Sequence, residues 1–357
     1  MFQAIEFQSE EKYINDFLRL PKLLYDKSTY TQNETQERQI LEETHVLCKY
    51  CKQRKLLVYS DTGEVCGRCI VTLYEDSDTA YIGYFECIED DECAKVLFDQ
   101  AHVCAKEAGY TKMVGPVDTS FWIKYRLKAD HFDQKPYTGE PYNMPYYKQM
   151  FENNGYRVLE RWVSNLYKKI PLFYKRKNVY KERLENARRA NYRIVSPKKK
   201  DFDATIDIIY ELISETFRDF VTFRKIAIED FREVFKNYRY IVDYRFLKIV
   251  YCEKEPVAFS LVLPDYRNYP FGELTAYKKI RILLKRIRSS NYISLYMGVL
   301  KEHRGLGKAL TQKIIKNLYI RRSACIGALI TEGKITEKYG EENITDKIRY
   351  YLFEKEL

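Results

Sequence analysis

The stretch of sequence that decides the fold lies near the end of the chain and reads Tyr296-Met297-Gly298-Val299-Leu300-Lys301-Glu302-His303-Arg304-Gly305-Leu306-Gly307-Lys308-Ala309-Leu310. The apolar run from Tyr292 to Val299 predicts a β-strand, and a helix is predicted from the glycines through Ile320. Glycines at the start of a helix leave its first N–H groups free to converge on one point, where the positive end of the helix dipole adds to their effect. The stretch therefore predicts an anion site suited to a phosphate group.

The sequence of this loop restricts the kind of phosphate-containing ligand that it could bind. It is not a P-loop, because no Gly-Lys-Ser/Thr follows four spacer residues, and it lacks the three glycines of the dinucleotide-binding fingerprint. It resembles the pyrophosphate loop of the GNAT superfamily of acyl-CoA N-acyltransferases, in which Arg or Gln, two residues, Gly, one residue, and Gly or Ala follow each other. Arg304, Gly307 and Ala309 occupy these three positions. An ordinary strand-to-helix turn with two glycines is the alternative interpretation.

The resemblance implies how acetyl-CoA or another acyl-CoA would bind as a substrate. The backbone N–H groups of the loop would hold the pyrophosphate, and the residues concerned are Arg304, Gly305, Leu306, Gly307, Lys308 and Ala309. The edge of the preceding strand at Met297 and Val299 would pair with the pantetheine amides, in the manner of β-augmentation.

Two further residues are candidates for the chemistry. Tyr339 stands at the family's spacing for the tyrosine that protonates the departing thiolate, with Asn343 where the family usually has glycine. Asn tolerates the left-handed conformation, so this replacement of glycine is physically reasonable. Glu332, just beyond a predicted strand, is a candidate general base. Since the chain holds 33 tyrosines, a packing or surface role is the alternative interpretation of Tyr339.

The 357 residues are enough for two domains. The second half reads strand, two helices, antiparallel hairpin, strand, helix and strand, which is the element order of the GNAT fold, and the first half reads similarly. Most of residues 10–167 also resembles bacterial tandem GNAT-like proteins, through Gly83 to Asp90, Gly115 to Val117, Pro141 to Tyr147 and Phe151 to Tyr156. We predict an α/β protein with mixed sheets and two tandem GNAT-like domains, 1–172 and 190–357, joined by a basic linker, 173–189.

The first half is predicted to be degenerate. In place of the glycine loop it has Cys87 to Glu92, where four carboxylates precede or open a predicted helix and would repel a pyrophosphate. In the late motif around Phe151 to Tyr156, Phe151 takes the position of the family's tyrosine and has no proton to donate. The chemistry is therefore expected in the C-terminal domain.

The net charge of +10 is concentrated in two basic blocks, Lys168 to Lys200 and Lys278 to Arg288. Either could bind nucleic acid or an anionic membrane surface. A solvated linker and helix face, or a field that attracts coenzyme A, is the favoured interpretation, because no recognisable nucleic-acid module accompanies the charge.

No apolar run reaches the roughly 18 residues of a membrane span. The first twelve residues do not resemble a signal peptide, and nine cysteines suggest reduced thiols, so a cytoplasmic protein is expected.

Four cysteines raise the question of a metal. Cys48-x-x-Cys51 and Cys66-x-x-Cys69, with fourteen residues between the pairs, match the spacing of a zinc ribbon. The resemblance instead places them at the first antiparallel hairpin of the fold. We predict core cysteines and no metal, with zinc as the alternative.

The sequence thus predicts an acyl-CoA-dependent N-acyltransferase, which would transfer an acetyl or similar group to a small amine or a peptide. One alternative is an aminoacyl transferase of the peptidoglycan-bridge type, whose tRNA donor would suit the basic block. The other is a non-catalytic module that binds acyl-CoA or zinc. The intact loop favours the acyltransferase, and the sequence does not indicate the acceptor or the oligomeric state.

Overall fold

A computed structural model describes residues 1–170, 178–269, 272 and 274–357. By its internal contacts the chain divides into two compact units. Unit 1 comprises Met1–Arg161, Asn268–Glu273 and Arg349–Leu357, and unit 2 comprises Trp162–Arg267 and Leu274–Ile348. The linear domains 1–172 and 190–357 stay a prediction, because the units are defined by contacts rather than by order along the chain. Residues 173–177 of the predicted linker lie outside the described residues.

Unit 1 combines a sheet with helices on its faces. Its strands are β1 (Phe2–Phe7), β2 (Lys52–Ser60), β3 (Val65–Leu73), β4 (Thr79–Cys87), β5 (Lys112–Gly115), β6 (Val117–Asp118), β7 (Lys124–Tyr125) and β8 (Leu127–Lys128). Its helices are α1 (Glu11–Leu24), α2 (Glu34–Leu41), α3 (Asp91–Glu107) and α4 (Tyr147–Asn153). Strand β9 (Arg157–Tyr167) begins in unit 1 and continues into unit 2.

Unit 2 has the same kinds of element. Its helices are α5 (Asn178–Arg189), α6 (Phe202–Thr216), α7 (Ile228–Phe235), α8 (Tyr238–Ile241), α9 (Ala276–Arg288) and α10 (Leu306–Arg321). Its strands are β10 (Tyr192–Val195), β11 (Lys248–Cys252), β12 (Glu255–Pro264), β13 (Asn291–Val299) and β14 (Ala324–Thr331). The last strand of the chain, β15 (Ile344–Glu356), begins in unit 2 and ends in unit 1. None of the described helices combines the length and apolar character that a membrane span requires.

The two units share a strand order. In unit 1 it is β1-β2-β3-β4-β5, and in unit 2 it is β10-β11-β12-β13-β14. The final pair in each series is parallel, and the preceding pairs are antiparallel. The other edge of β5 pairs with Phe353–Glu356 of β15, and the other edge of β14 pairs with part of Trp162–Tyr167 of β9. Each sheet therefore ends on a strand from the opposite half of the sequence, and the predicted mixed α/β fold is confirmed.

The core of unit 2 fixes the helix that follows the glycine loop. Leu306, Ala309 and Leu310 of α10 are buried against Val257 and Ala258 of β12. Helix α10 also contacts α5, whose Leu184 and Ala187 join the same cluster. Burial of each leucine contributes about 2 kcal/mol relative to its exposure. The start of α10 is therefore held by packing against both β12 and α5.

Most predicted elements of the second half are confirmed. The strand expected at 292–299 is β13, and the helix expected through Ile320 is α10. The hairpin at 246–263 is formed by β11 and β12. In the turn after Tyr339, Gly340 is the left-handed residue (φ 65°), and Asn343 ends a short 3₁₀ turn, Glu341–Asn343. Glycine adopts this conformation at lower cost than asparagine does, because it has no Cβ atom.

The four cysteines that match the zinc-ribbon spacing do not all join one cluster of unit 1. Cys66 and Cys69 belong to the hydrophobic cluster that includes Leu56 and Val58, and Cys69 is fully buried. Cys48 contacts a separate cluster that includes Leu57, and its thiol donates to the carbonyl of Ile40 at 3.8 Å. Within the described ranges no group of three or more His, Cys, Asp or Glu side chains is arranged to hold a metal ion.

Candidate active site

The glycine loop forms the start of α10. After β13 a single 3₁₀ turn, Lys301–His303, leads to Gly305, whose φ of 103° is a left-handed value that disfavours any residue with a Cβ atom. No side chain caps the helix, and no acceptor among the described residues binds the N–H groups of Leu306, Gly307 or Lys308. Three backbone donors at the positive end of a 16-residue helix are thus available to an anion.

Three of the predicted site residues, Gly307, Tyr339 and Met297, lie close together at the start of α10. A Cβ atom added to Gly307 would lie 3.0 Å from the hydroxyl oxygen of Tyr339 and 3.6 Å from the sulfur of Met297. The absence of a side chain at Gly307 therefore leaves room for the phenol ring. The structure brings the candidate acid, the loop and the edge of β13 to one place.

The backbone of Tyr339 is held by two other tyrosines. The hydroxyl of Tyr167 donates to the carbonyl of Tyr339 at 2.6 Å, and the N–H of Gly340 donates to the hydroxyl oxygen of Tyr180 at 2.7 Å. The rings of Tyr180 and Tyr339 are edge to face, with centroids 6.2 Å apart. Burial, and then Tyr180, raises the pKa of Tyr339, while Arg183 opposes the shift. The phenol therefore keeps its proton at neutral pH and is able to donate it.

Helix α5 supplies two residues that the sequence analysis missed. Tyr180 supports Tyr339, and a Cβ atom on Gly305 would lie 3.7 Å from the Nη1 atom of Arg183. No carboxylate of the described residues forms an ion pair with this guanidinium. The segment was predicted to be a linker, but Tyr180, Leu184 and Ala187 recur at intervals of four and three and form the face that packs inward. That spacing is the signal that identifies the helix.

The far end of β13 has one unpaired edge. The pairing of β13 with β14 ends at Ser294 opposite Gly327, whereas its pairing with β12 continues to Val299. The opposite edge of β14 pairs with β9 from Cys325 to Thr331, and so β14 does not extend the pairing of β13. In the part of the chain that the structure describes, Met297–Val299 therefore has no strand partner on that side, and its backbone is available to an extended ligand.

The remaining predicted residues differ in their surroundings. The side chain of Arg304 is exposed and that of Lys308 is half-buried, whereas Leu306 and Ala309 are buried and offer only their backbone to a ligand. Glu332 is the exposed residue that follows β14. Across the described residues no hydrogen bond or ion pair joins Glu332 to the group around Tyr339, and its role as a base stays a prediction.

The corresponding helix start in unit 1 is built differently. The carboxylate of Asp90 accepts from the N–H of Cys93 at 2.9 Å and so caps α3, and Asp91 and Glu92 follow in the first turn. An anion would meet these carboxylates rather than free N–H groups. Phe151 is fully buried, with ring centroids 5.0 to 5.3 Å from those of Phe85, Phe98 and Phe353.

Comparison with known proteins finds one distant relative by sequence and several solved structures with a similar fold. No protein-family model matches the chain. Protein YghO of Escherichia coli (strain K12) is 22% identical to it over 330 residues, which cover 84% of this chain and 81% of that protein.

Among solved structures, a tandem GNAT protein from the clavulanic acid biosynthesis pathway has a TM-score of 0.54 at 10% identity, and the match covers 100% of this chain and 98% of that one. A GCN5-related N-acetyltransferase from Sphaerobacter thermophilus has a TM-score of 0.50 at 12% identity, with 99% and 95% covered. A GCN5-related glucosamine N-acetyltransferase region of a fungal β-N-acetylglucosaminidase has a TM-score of 0.59 at 11% identity, with 99% of this chain and 38% of that one covered. The strand order shared by the two units and these likenesses over the whole length show that the chain has the tandem GNAT fold.

Proposed function

We propose that this protein transfers an acyl group, most simply acetyl, from acyl-CoA to an amine, and that the chemistry takes place in unit 2. The observation that carries the proposal is the position of the Tyr339 hydroxyl beside Gly307 and Met297. A proton donor there lies next to both an anion-binding helix start and an unpaired strand edge. A turn of purely structural importance would not require these three features together.

The binding of acyl-CoA follows from the same elements. Its pyrophosphate would accept from the N–H groups at Leu306, Gly307 and Lys308, and Arg183 would add a positive charge beside Gly305. Its pantetheine arm would extend along Met297–Val299 as an additional strand. The thioester would then lie near the phenol of Tyr339.

The proposed reaction needs one acid and one proton acceptor. The amine nitrogen attacks the thioester carbonyl carbon, the carbon–sulfur bond breaks, and the amide forms. Tyr339 gives its proton to the departing sulfur, while the proton of the attacking amine passes to water or to Glu332. The elevated pKa of Tyr339 suits this role because the group is protonated before the reaction.

We propose the acceptor only as a chemical class, which is a small amine or the amine of a peptide. We also propose that the protein acts in the cytoplasm. Unit 1 is proposed to lack acyl-CoA chemistry, because Asp90 and its neighbours occupy the helix start and Phe151 replaces the proton donor.

Calorimetric titration with acetyl-CoA tests the proposal. The wild-type chain is expected to bind, and Gly307→Glu is expected to abolish binding, because it places a carboxylate at the helix start and displaces Tyr339. Thr62→Glu adds the same charge to an exposed turn of unit 1 and serves as the matched control.

Circular dichroism of all three proteins establishes that they are folded before the titrations are compared. No binding by the wild-type chain, or equal binding by Gly307→Glu, would contradict the proposal.

A further inference from the structure

Helix α9 is the most basic element of unit 2. Its 13 residues include six lysines and arginines and no acidic residue: Lys278, Lys279, Arg281, Lys285, Arg286 and Arg288. The side chain of Thr275 caps it, accepting from the N–H of Lys278 at 3.3 Å. The segment is a regular helix with a capped start rather than a charged loop.

One face of α9 attaches it to unit 2. Ile282 is fully buried, and the guanidinium of Arg286 donates to the carbonyl of Val242 at 3.0 Å. The ammonium group of Lys279 lies 4.6 Å from the ring centroid of Tyr240. These contacts fix the rotation of the helix about its axis, and so determine which residues point away from the protein.

The outward face is apolar. Its large hydrophobic side chains are between 42% and 66% exposed, and they are Tyr277, Ile280, Leu283, Leu284 and Ile287. Spacings of three and four residues align them on one side of the helix. A contiguous apolar stripe flanked by basic residues marks an interaction surface rather than an ordinary solvated helix face.

A groove of about 420 Å³ adjoins this stripe. Leu284 belongs to both, and the basic residues that line the groove are Arg267, Arg281, Lys285 and Arg288. Asp265 is the acidic residue of its described lining, and it pairs with Arg267 at 3.4 Å. The groove therefore has a positive balance of charge directly beside exposed aliphatic side chains.

We propose that α9 docks unit 2 on the surface of a bilayer that contains anionic phospholipid. The apolar stripe enters the boundary between headgroups and acyl chains, and the adjoining groove receives a headgroup phosphate. Lipid fits better than nucleic acid, because bases stack on aromatic rings and the stripe offers only Tyr277 among aliphatic residues. The proposal concerns a surface outside the glycine loop and does not depend on acyl transfer.

Vesicle flotation of the full-length protein tests this docking. Vesicles of phosphatidylcholine with phosphatidylglycerol are compared with vesicles of phosphatidylcholine alone. Two variants change the surface, Ile280→Ser with Ile287→Ser, and Arg281→Gln with Arg288→Gln. Matched controls change equally exposed residues elsewhere, Leu23→Ser with Ile320→Ser, and Arg189→Gln with Lys254→Gln.

The wild-type chain is expected to float with the anionic vesicles only. Removal of the two arginines is expected to weaken binding about 25-fold, at about fivefold for each charge near the surface, and removal of the two isoleucines several-fold. Both control pairs are expected to bind as the wild-type chain does. Circular dichroism establishes that each variant is folded.

Three results would overturn the proposal. The first is no flotation by the wild-type chain, and the second is flotation unchanged by the isoleucine pair. The third is concentration-dependent self-association, or binding to single-stranded RNA, that the α9 variants abolish while vesicles are not bound. That result would assign the surface to a second copy of the chain or to nucleic acid.

Discussion

The hydroxyl oxygen of Tyr339 lies 3.0 Å from the point that a Cβ atom on Gly307 would occupy. The glycine therefore has two roles at once. It leaves the first N–H groups of α10 open to an anion, and it leaves room for the phenol ring of Tyr339 beside them. A substitution at Gly307 would disturb both the anion site and the candidate acid. A substitution at Tyr339 changes the candidate acid alone, so it distinguishes the effect on catalysis from the effect on binding.

Tyr339→Phe is expected to lower kcat about 100-fold or more and to leave the affinity for acetyl-CoA unchanged. The phenyl ring keeps the packing against Tyr180 but has no proton for the departing sulfur. The rate is measured as thiol release from acetyl-CoA with the best amine found in a screen, and the affinity by calorimetry. An unchanged kcat would remove Tyr339 from the mechanism, and a lost affinity would assign it to binding.

Arg183→Gln is expected to weaken acetyl-CoA binding up to about fivefold, since an exposed charge of this kind contributes at most about 1 kcal/mol. The effect should shrink as salt is added, because the charge is screened. Arg189→Gln on the same helix is the control, and it should bind as the wild-type chain does. Equal affinities for the two variants would show that Arg183 does not contact the ligand.

Arg68→Met is expected to destabilise unit 1 by about 3–5 kcal/mol, because it leaves buried carboxylates without their cation. Arg68 is fully buried and donates to Glu37 and to the carbonyl of Phe17, both at 2.8 Å, with Glu86 at 3.9 Å. Urea unfolding measures the loss. Adding Glu37→Gln to Arg68→Met should recover part of it, and simple additivity of the two changes would contradict this account.

Because of His102, we expect the folded protein to lose stability in mild acid. Its side chain is buried against Tyr156 with the hydroxyl 3.0 Å from Nε2, and burial, followed by Lys355, lowers its pKa to about 4. Above pH of about 6.5 the histidine is neutral in both states and has no effect. As the pH falls from about 6.5 to 4 the unfolded chain binds a proton that the folded chain does not, and stability falls.

The measurement is urea unfolding at pH 7 and pH 4.5. The wild-type chain is expected to lose roughly 2 kcal/mol more than His102→Gln does between these conditions. Equal losses in the two proteins would show that the histidine titrates normally in the folded state.

The sequence was a good guide where one pattern dominates a segment. The apolar run at β13 and the glycines at the start of α10 predicted both elements and their boundaries to within about one residue. Tyr339 was found from family spacing, and the structure adds that it contacts the loop. The two basic helices, α5 and α9, were interpreted as blocks of charge, because lysine and arginine are interspersed among the apolar residues that set the helical period.

Other features could not be read from the sequence because they depend on tertiary contacts. Arg183 resembles its neighbours in the chain, and only the packing of α5 on α10 brings it to Gly305. Family spacing drew attention to Asn343, at the position where glycine is usual, whereas Gly340 is the residue that adopts the left-handed conformation. Local composition does not decide between two residues that both tolerate it.

The exchange of final strands has a consequence for synthesis. Most of unit 1 is translated before unit 2, but the outer edge of β5 pairs with Phe353–Glu356, which are translated after unit 2. Domains that lie in one continuous segment can fold as soon as that segment emerges. Of the two units, the one whose translation begins earlier is therefore the later to be completed, and removal of Phe353–Glu356 would leave its defect in unit 1 rather than in unit 2.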